Sequence, residues 1–132
     1  MPHILLVDDD PEILEIIELD LNDESGITVD TCLSSREALE LIKKYHYDII
    51  IADWKMPVMN GTALVKTARA GGNRSFFIIY SGIDICDDIE EALKLGADAY
   101  VHRKGDPDTE FAELRSLIKR ADSTNTRTPD KN

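Results

Sequence analysis

The sequence predicts an α/β domain: a parallel five-stranded sheet, doubly wound, with helices on both faces. Two observations carry this. Short apolar or β-branched runs alternate with amphipathic helical patterns along the chain, which is the arrangement of βα units. Three of the runs, HILLV (3–7), DIIIA (48–52) and FFIIY (76–80), are almost wholly apolar, as strands buried on both faces must be.

The first run leads into PEILEIIELDL (11–21), where Ile13, Leu14, Ile17 and Leu21 repeat on one helical face. Asp10 followed by Pro11 is a helix start, an oxygen cap before a residue suited to the first helical position. ITVDT (27–31) alternates like a strand, and its Thr and Asp residues place it near a sheet edge. SREALELIKKY (35–45) is helical, with Ser34 and Glu37 forming a capping box. After DIIIA comes a loop and then the helix TALVKTARA (62–70), which stops at Gly71-Gly72. Asn60-Gly61 resembles a hairpin turn, but the helical pattern behind it makes it a loop before a helix. FFIIY precedes the helix DDIEEALKL (87–95), ended by Gly96. DAYVH (98–102) is the last strand and DTEFAELRSLIKRA (108–121) the last helix, with Phe111, Leu114 and Ile118 on one face. The chain is expected to form one domain over 1–121, followed by a polar, flexible tail over 122–132.

Composition narrows the function. The 132 residues carry 26 Asp and Glu against 15 Lys and Arg, a formal charge of -11. Unaided nucleic-acid binding needs a basic face, so no direct nucleic-acid partner is expected. No window is long and apolar enough for a membrane span. The N-terminal MPHILLVDDD lacks a basic region and a small-residue cleavage site, so a cytoplasmic protein without a signal peptide is expected. Cys32 and Cys86 match no metal or redox spacing and read as two buried thiols. His3, His46 and His102 have no ligand spacing and read as structural or surface residues.

In such sheets ligands sit at the carboxyl ends of the strands, where the strand order reverses. Here those ends are Asp8-Asp9-Asp10, Asp53, Ser81 and Arg103-Lys104. If strands one, three and four are neighbours, these residues converge. Unit charges about 4 Å apart repel by roughly 4 kcal/mol at an effective dielectric near 20. Clustered carboxylates therefore call for a hard divalent cation such as Mg²⁺ and a basic side chain. Such a site suits phosphoryl transfer to a carboxylate nucleophile, with a hydroxyl and a cation holding the product group.

The stretches ILLVDDDPEI, DIIIADWKMPVMNG, FFIIYSG and GADAYVHRKG, in this order and at this spacing, resemble the response-regulator receiver domains of two-component signalling, with the layout of the stand-alone chemotaxis regulators. The resemblance covers roughly residues 3–121. It implies a flavodoxin-like (βα)5 fold with strand order 2-1-3-4-5. It implies Asp53 as phosphoacceptor, and Mg²⁺ held by Asp8, Asp9, Asp53 and the backbone carbonyl of Lys55. Ser81 matches the switch hydroxyl and Tyr100 the aromatic that swings inward with it. Trp54, Met56, Pro57, Gly61 and Gly82 match the loops that shape the site. The donor would be a sensor histidine kinase, and the output an unnamed protein contacting the face of helix four, strand five and helix five, with a homodimer left open. No DNA-binding or catalytic output domain follows Ala121, so output is expected through a partner or from a domain beyond this sequence.

One departure matters. The family places a Lys followed by Pro after the last strand, where this chain reads Arg103-Lys104-Gly105. Strand parity favours Arg103, since Ala99, Val101 and Arg103 share a face. Residue type favours Lys104, which a one-residue bulge would bring round. Two other functions compete. One is a phosphorylation-independent receiver-like interaction module. The other is an aspartyl-phosphate hydrolase using Asp8 and Asp10, for which Glu12 stands where Thr or Val is wanted.

Overall fold

The computed structural model describes the backbone of residues 2–23, 26–82 and 86–127, with side chains throughout these except at 86 and 122–127. The elements run β1 (His3–Val7), α1 (Pro11–Asn22), β2 (Thr28–Cys32), α2 (Ser35–Lys44), β3 (Ile49–Ala52), α3 (Gly61–Ala70), β4 (Phe76–Ser81), α4 (Cys86–Lys94), β5 (Ala99–His102) and α5 (Pro107–Arg127). All strand pairs are parallel, in the order β2-β1-β3-β4-β5. The three apolar runs thus occupy the centre and the Thr- and Asp-bearing strand an edge, as expected. The order reverses between β1 and β3, which places the ligand crevice beyond their carboxyl ends.

Side chains alternate across the sheet and build two cores. Leu5, Val7, Ile50, Ala52, Phe77 and Ile79 pack with Ala38, Leu64, Val65, Ala68 and Ala92 under α2, α3 and α4. Ile4, Leu6, Ile49, Ile51, Ile78, Tyr80 and Val101 pack with Leu14, Ile17 and Leu21 of α1 and Leu114, Leu117, Ile118 and Ala121 of α5. Among the described residues no helix is long and apolar enough to cross a membrane.

The helix starts follow their sequence signals. Asp10 caps α1, its carboxylate accepting the Glu12 N–H at 3.0 Å. Ser34 caps α2 by accepting the Glu37 N–H, and the Glu37 carboxylate accepts in return from the Leu33 N–H, one residue before the cap. Asn60 caps α3 by accepting the Ala63 N–H at 2.9 Å, so Asn60-Gly61 is the loop before a helix. One boundary is corrected. The last helix, expected over 108–121, spans Pro107–Arg127 and so enters the stretch expected as a tail. No Gly or Pro interrupts the chain until Pro129, and the residue before a proline is the first disfavoured in a helix. The rest of the expected tail, and the Cys86 thiol, lie outside the described residues. Cys32 is buried, which pushes its thiol up to about 12.

Candidate functional site

The site follows from strand register and parity. Val7 pairs with Ala52, so Asp8 and Asp53 are the next residues of neighbouring strands. The Asp53 N–H donates to the Val7 carbonyl at 3.0 Å and the Asp8 N–H to the Cys32 carbonyl at 3.2 Å, which extends the ladder to both carboxylates. Asp8 continues the Ile4–Leu6 side of β1, Asp53 the Ile49–Ile51 side of β3, and Arg103 the Val101 side of β5. All three therefore emerge on the sheet face packed by α1 and α5.

Asp8, Asp9 and Asp53 each offer an oxygen within 4.8 Å of the others. Asp8 and Asp53 are buried while Asp9 is exposed. Arg103 spans the first two: Nη1 lies 3.5 Å from Asp8 Oδ2 and Nη2 3.6 Å from Asp53 Oδ2. The Asp10 N–H donates to Asp8 Oδ1 at 2.9 Å and the Lys55 N–H to Asp53 Oδ1 at 3.4 Å. Burial pushes the Asp8 carboxyl up to about 6; the Asp53 and Asp9 charges add to this, against the Asp10 N–H and Arg103. The three carboxylates above this groove of about 810 Å³ suit a small hard cation by donor type and spacing.

Around them the groove is lined by Trp54, Lys55, Met56, Pro57, Ser81 and Gly82. Ser81 ends β4 and is buried. The half-buried Tyr100 donates its hydroxyl to the Ser81 carbonyl at 3.3 Å, so its ring lies beside the strand end that carries Ser81. The half-buried Trp54 donates its indole N–H to Thr62 Oγ1 at 2.7 Å, which ties the loop to α3. Met56 is buried against the Ser35 hydroxyl. Gly61 is required by close approach: a Cβ there would stand 2.8 Å from the Asp53 carbonyl oxygen and 2.9 Å from Trp54 Cα. Between these anchors Val58 is fully exposed at φ 70°, and the Met59 N–H donates across it to the Pro57 carbonyl at 2.7 Å.

The structure brings Asp8, Asp9, Asp53, Ser81 and Arg103 together and leaves Lys104 out. Lys104 is exposed, and its N–H donates instead to Glu110 Oε2 at 2.6 Å. Parity thus decides over residue type, and no bulge is needed: the Arg103 N–H continues the strand by donating to the Ser81 carbonyl at 2.7 Å. Asp10 is exposed and committed to its cap, so it makes no acidic pair with Asp8 of the hydrolase kind. The histidines engage elsewhere: His3 with Asp30, His46 with Asp48, and His102 with the Gly82 carbonyl.

Sequence reasoning did not single out Tyr80 and Glu110. Glu110 is buried at the start of α5 and accepts the Tyr80 hydroxyl at 2.8 Å, while the Arg103 guanidinium lies 5.1 Å from the centre of the Tyr80 ring. The signal was available: Glu110 falls on the stripe 110, 114, 117, 121, whose other members are Leu114, Leu117 and Ala121.

A five-stranded doubly wound sheet in the order 2-1-3-4-5, with an acidic cluster at its switch point, defines a class of small flavodoxin-like α/β domains. Residues 4–115 match the response regulator receiver domain family, and the chain belongs to it. Over 119 residues it is 33% identical to the cell cycle response regulator CtrA of Brucella abortus, an alignment that takes in 90% of this chain and 51% of CtrA. The chain therefore spans about half the length of the curated relatives it matches. Among solved structures it is similar to the chemotaxis response regulator CheY4 of Vibrio cholerae, at TM-score 0.77 and 28% identity over 89% of this chain and 98% of that one. It is also similar to the response regulator TrrA of Thermotoga maritima in complex with Mg²⁺ and BeF, at TM-score 0.79 and 27% identity over 92% of this chain and 99% of that one. The receiver resemblance and the flavodoxin-like fold expected from the sequence are both borne out.

Proposed function

We propose that this receiver domain takes a phosphoryl group on Asp53 from the phosphohistidine of a partner sensor kinase and passes the change to an output protein. The carrying observation is the bridging of Asp8 and Asp53 by Arg103 beside the exposed Asp9. Asp53 is the nucleophile: its carboxylate oxygen forms the new P–O bond as the donor's P–N bond breaks, and the donor imidazole keeps the electron pair. Asp8, Asp9, Asp53 and the Lys55 backbone carbonyl would hold Mg²⁺, which would supply charge neutralisation at the phosphoryl oxygens. Arg103 adds two planar N–H donors where a Lys would add one ammonium. Ser81 holds the product by donating its hydroxyl, and Tyr100 follows the displaced Ser81 segment inward. That movement alters the face of α4, β5 and α5, where the output protein or a second copy of the chain docks. Water attack on phospho-Asp53 returns the domain to its starting state.

Acetyl phosphate with Mg²⁺ should add one phosphoryl mass to the intact protein. Asp53→Asn should abolish the addition and Asp9→Ala should weaken it. Size-exclusion mass with and without donor reads self-association. Absence of labelling under saturating donor sinks the proposal and leaves a phosphorylation-independent interaction module.

A further inference from the structure

Arg103 sits on an unusual support. The segment behind it, Lys104-Gly105-Asp106, lacks a proline to fix its course, and Gly105 has φ +104°. What organises the segment is one buried oxygen. Glu110 Oε2 accepts three consecutive backbone N–H groups, from Lys104 at 2.6 Å, Gly105 at 3.1 Å and Asp106 at 3.2 Å. Successive N–H groups converge on one anion in a nest, where one residue turns left-handed, and Gly105 does so without steric cost. The other oxygen, Oε1, accepts the Tyr80 hydroxyl. Burial by itself raises the Glu110 carboxyl, but the Tyr80 and backbone hydrogen bonds outweigh it and hold the group below its usual range, so it is an anion at neutral pH. A phenol donating to a carboxylate gains electron density in its ring, and that ring is the surface on which Arg103 rests.

We propose that Glu110 is a positioning residue for phosphoryl transfer: it fixes Arg103 between Asp8 and Asp53 from two sides, through the Tyr80 ring and through the three N–H groups that follow Arg103. This rests on the reading of Asp53 as phosphoacceptor. In this chain a buried carboxylate holds the loop that a proline stiffens in the receiver pattern, and the site's cation is placed by an anion that never meets the phosphoryl group. Tyr80 is the shared member, since it packs in the core and touches both Arg103 and Glu110.

The test is a double-mutant cycle with two readouts. The first is the rate of Asp53 labelling by acetyl phosphate with Mg²⁺. The second needs neither donor nor metal: the NMR signal of the Arg103 Nε–H, assigned by its loss in Arg103→Ala. Glu110→Gln should slow labelling about 3- to 10-fold, and Tyr80→Phe, which keeps the ring and loses the hydroxyl, by a smaller factor. Both should broaden the Arg103 signal or move it toward the random-coil position. In an Arg103→Ala background neither should slow labelling further. Losses that multiply undiminished in that background overturn the proposal, as does an unmoved Arg103 signal in a folded variant. If Glu110→Gln does not fold, Tyr80→Phe carries the same comparisons. If the wild type takes no label, the phosphoacceptor reading fails, and the Arg103 signal alone still decides whether Glu110 places the guanidinium.

Discussion

Replacing Asp53 by Asn should make the metal-free protein more stable, although it removes a buried ion pair. The magnitude follows from the site. Asp53 lies within 4.8 Å of carboxylate oxygens of both Asp8 and Asp9, and 3.6 Å from Arg103 Nη2. At an effective dielectric near 20, each repulsion amounts to about 3.5 kcal/mol and the attraction to about 4.6 kcal/mol. Asp9 is exposed, so water screens its share by up to about half. The two repulsions relieved then exceed the attraction lost by about 0.5–2.5 kcal/mol. Urea unfolding at pH 7.5 in EDTA should show this as a higher midpoint at unchanged slope. With Asp8, Asp9 and Asp53 holding Mg²⁺ as proposed, saturating Mg²⁺ should narrow the gap, because it would stabilise the wild type by mass action and bind the variant more weakly. A variant less stable than wild type in EDTA would refute the reasoning, since Arg103 would then neutralise the carboxylates fully without a metal.

Three further outcomes are expected. Arg103→Ala should slow Asp53 labelling at least about tenfold while Lys104→Ala stays within about twofold, measured as first-order rates under the same donor. Gly61→Ala should cost about 1–3 kcal/mol in urea unfolding, because the new methyl meets backbone at Asp53 and Trp54, which cannot rotate away. The raised Asp8 carboxyl sets a pH dependence. The folded state binds this proton up to about pH 6 and the unfolded state only to about 3.8, so ionisation of Asp8 removes stability as pH rises between those values. Unfolding in EDTA should show Asp8→Asn without that loss, a difference of about 1–3 kcal/mol at pH 7 that closes toward pH 4.

Much of this was legible in the sequence because buried parallel strands leave little room for ambiguity. DIIIA and FFIIY have no polar face, so they had to be central, and TVDTC had to be an edge. The acidic set was legible for the same reason, since carboxylates directly after such strands emerge at the crevice. The choice between Arg103 and Lys104 was decidable by parity, a geometric constraint, against residue type, an analogy. The reach of α5 was not legible from its apolar stripe, which ends at Ala121, because a helix beyond its packed face is limited only by the next breaker. Glu110 was hidden by its position. A charge near a helix start is normally a solvated cap, and only its place on the stripe with Leu114 marked it as buried.

The backbone at Val58 has a consequence for engineering. A β-branched residue held at φ 70° in the tight turn that the Met59 N–H closes costs about 1–3 kcal/mol, and this one, fully exposed, recovers nothing by packing. The position is therefore a reserve of stability outside the core. Glycine, which takes positive φ without steric cost, would release the strain, against a larger unfolded ensemble. Val58→Gly would be the first choice for hardening the domain without touching a carboxylate. That the chain keeps valine there sets a fully wet side chain, in the loop between Asp53 and α3, against the economy of the fold.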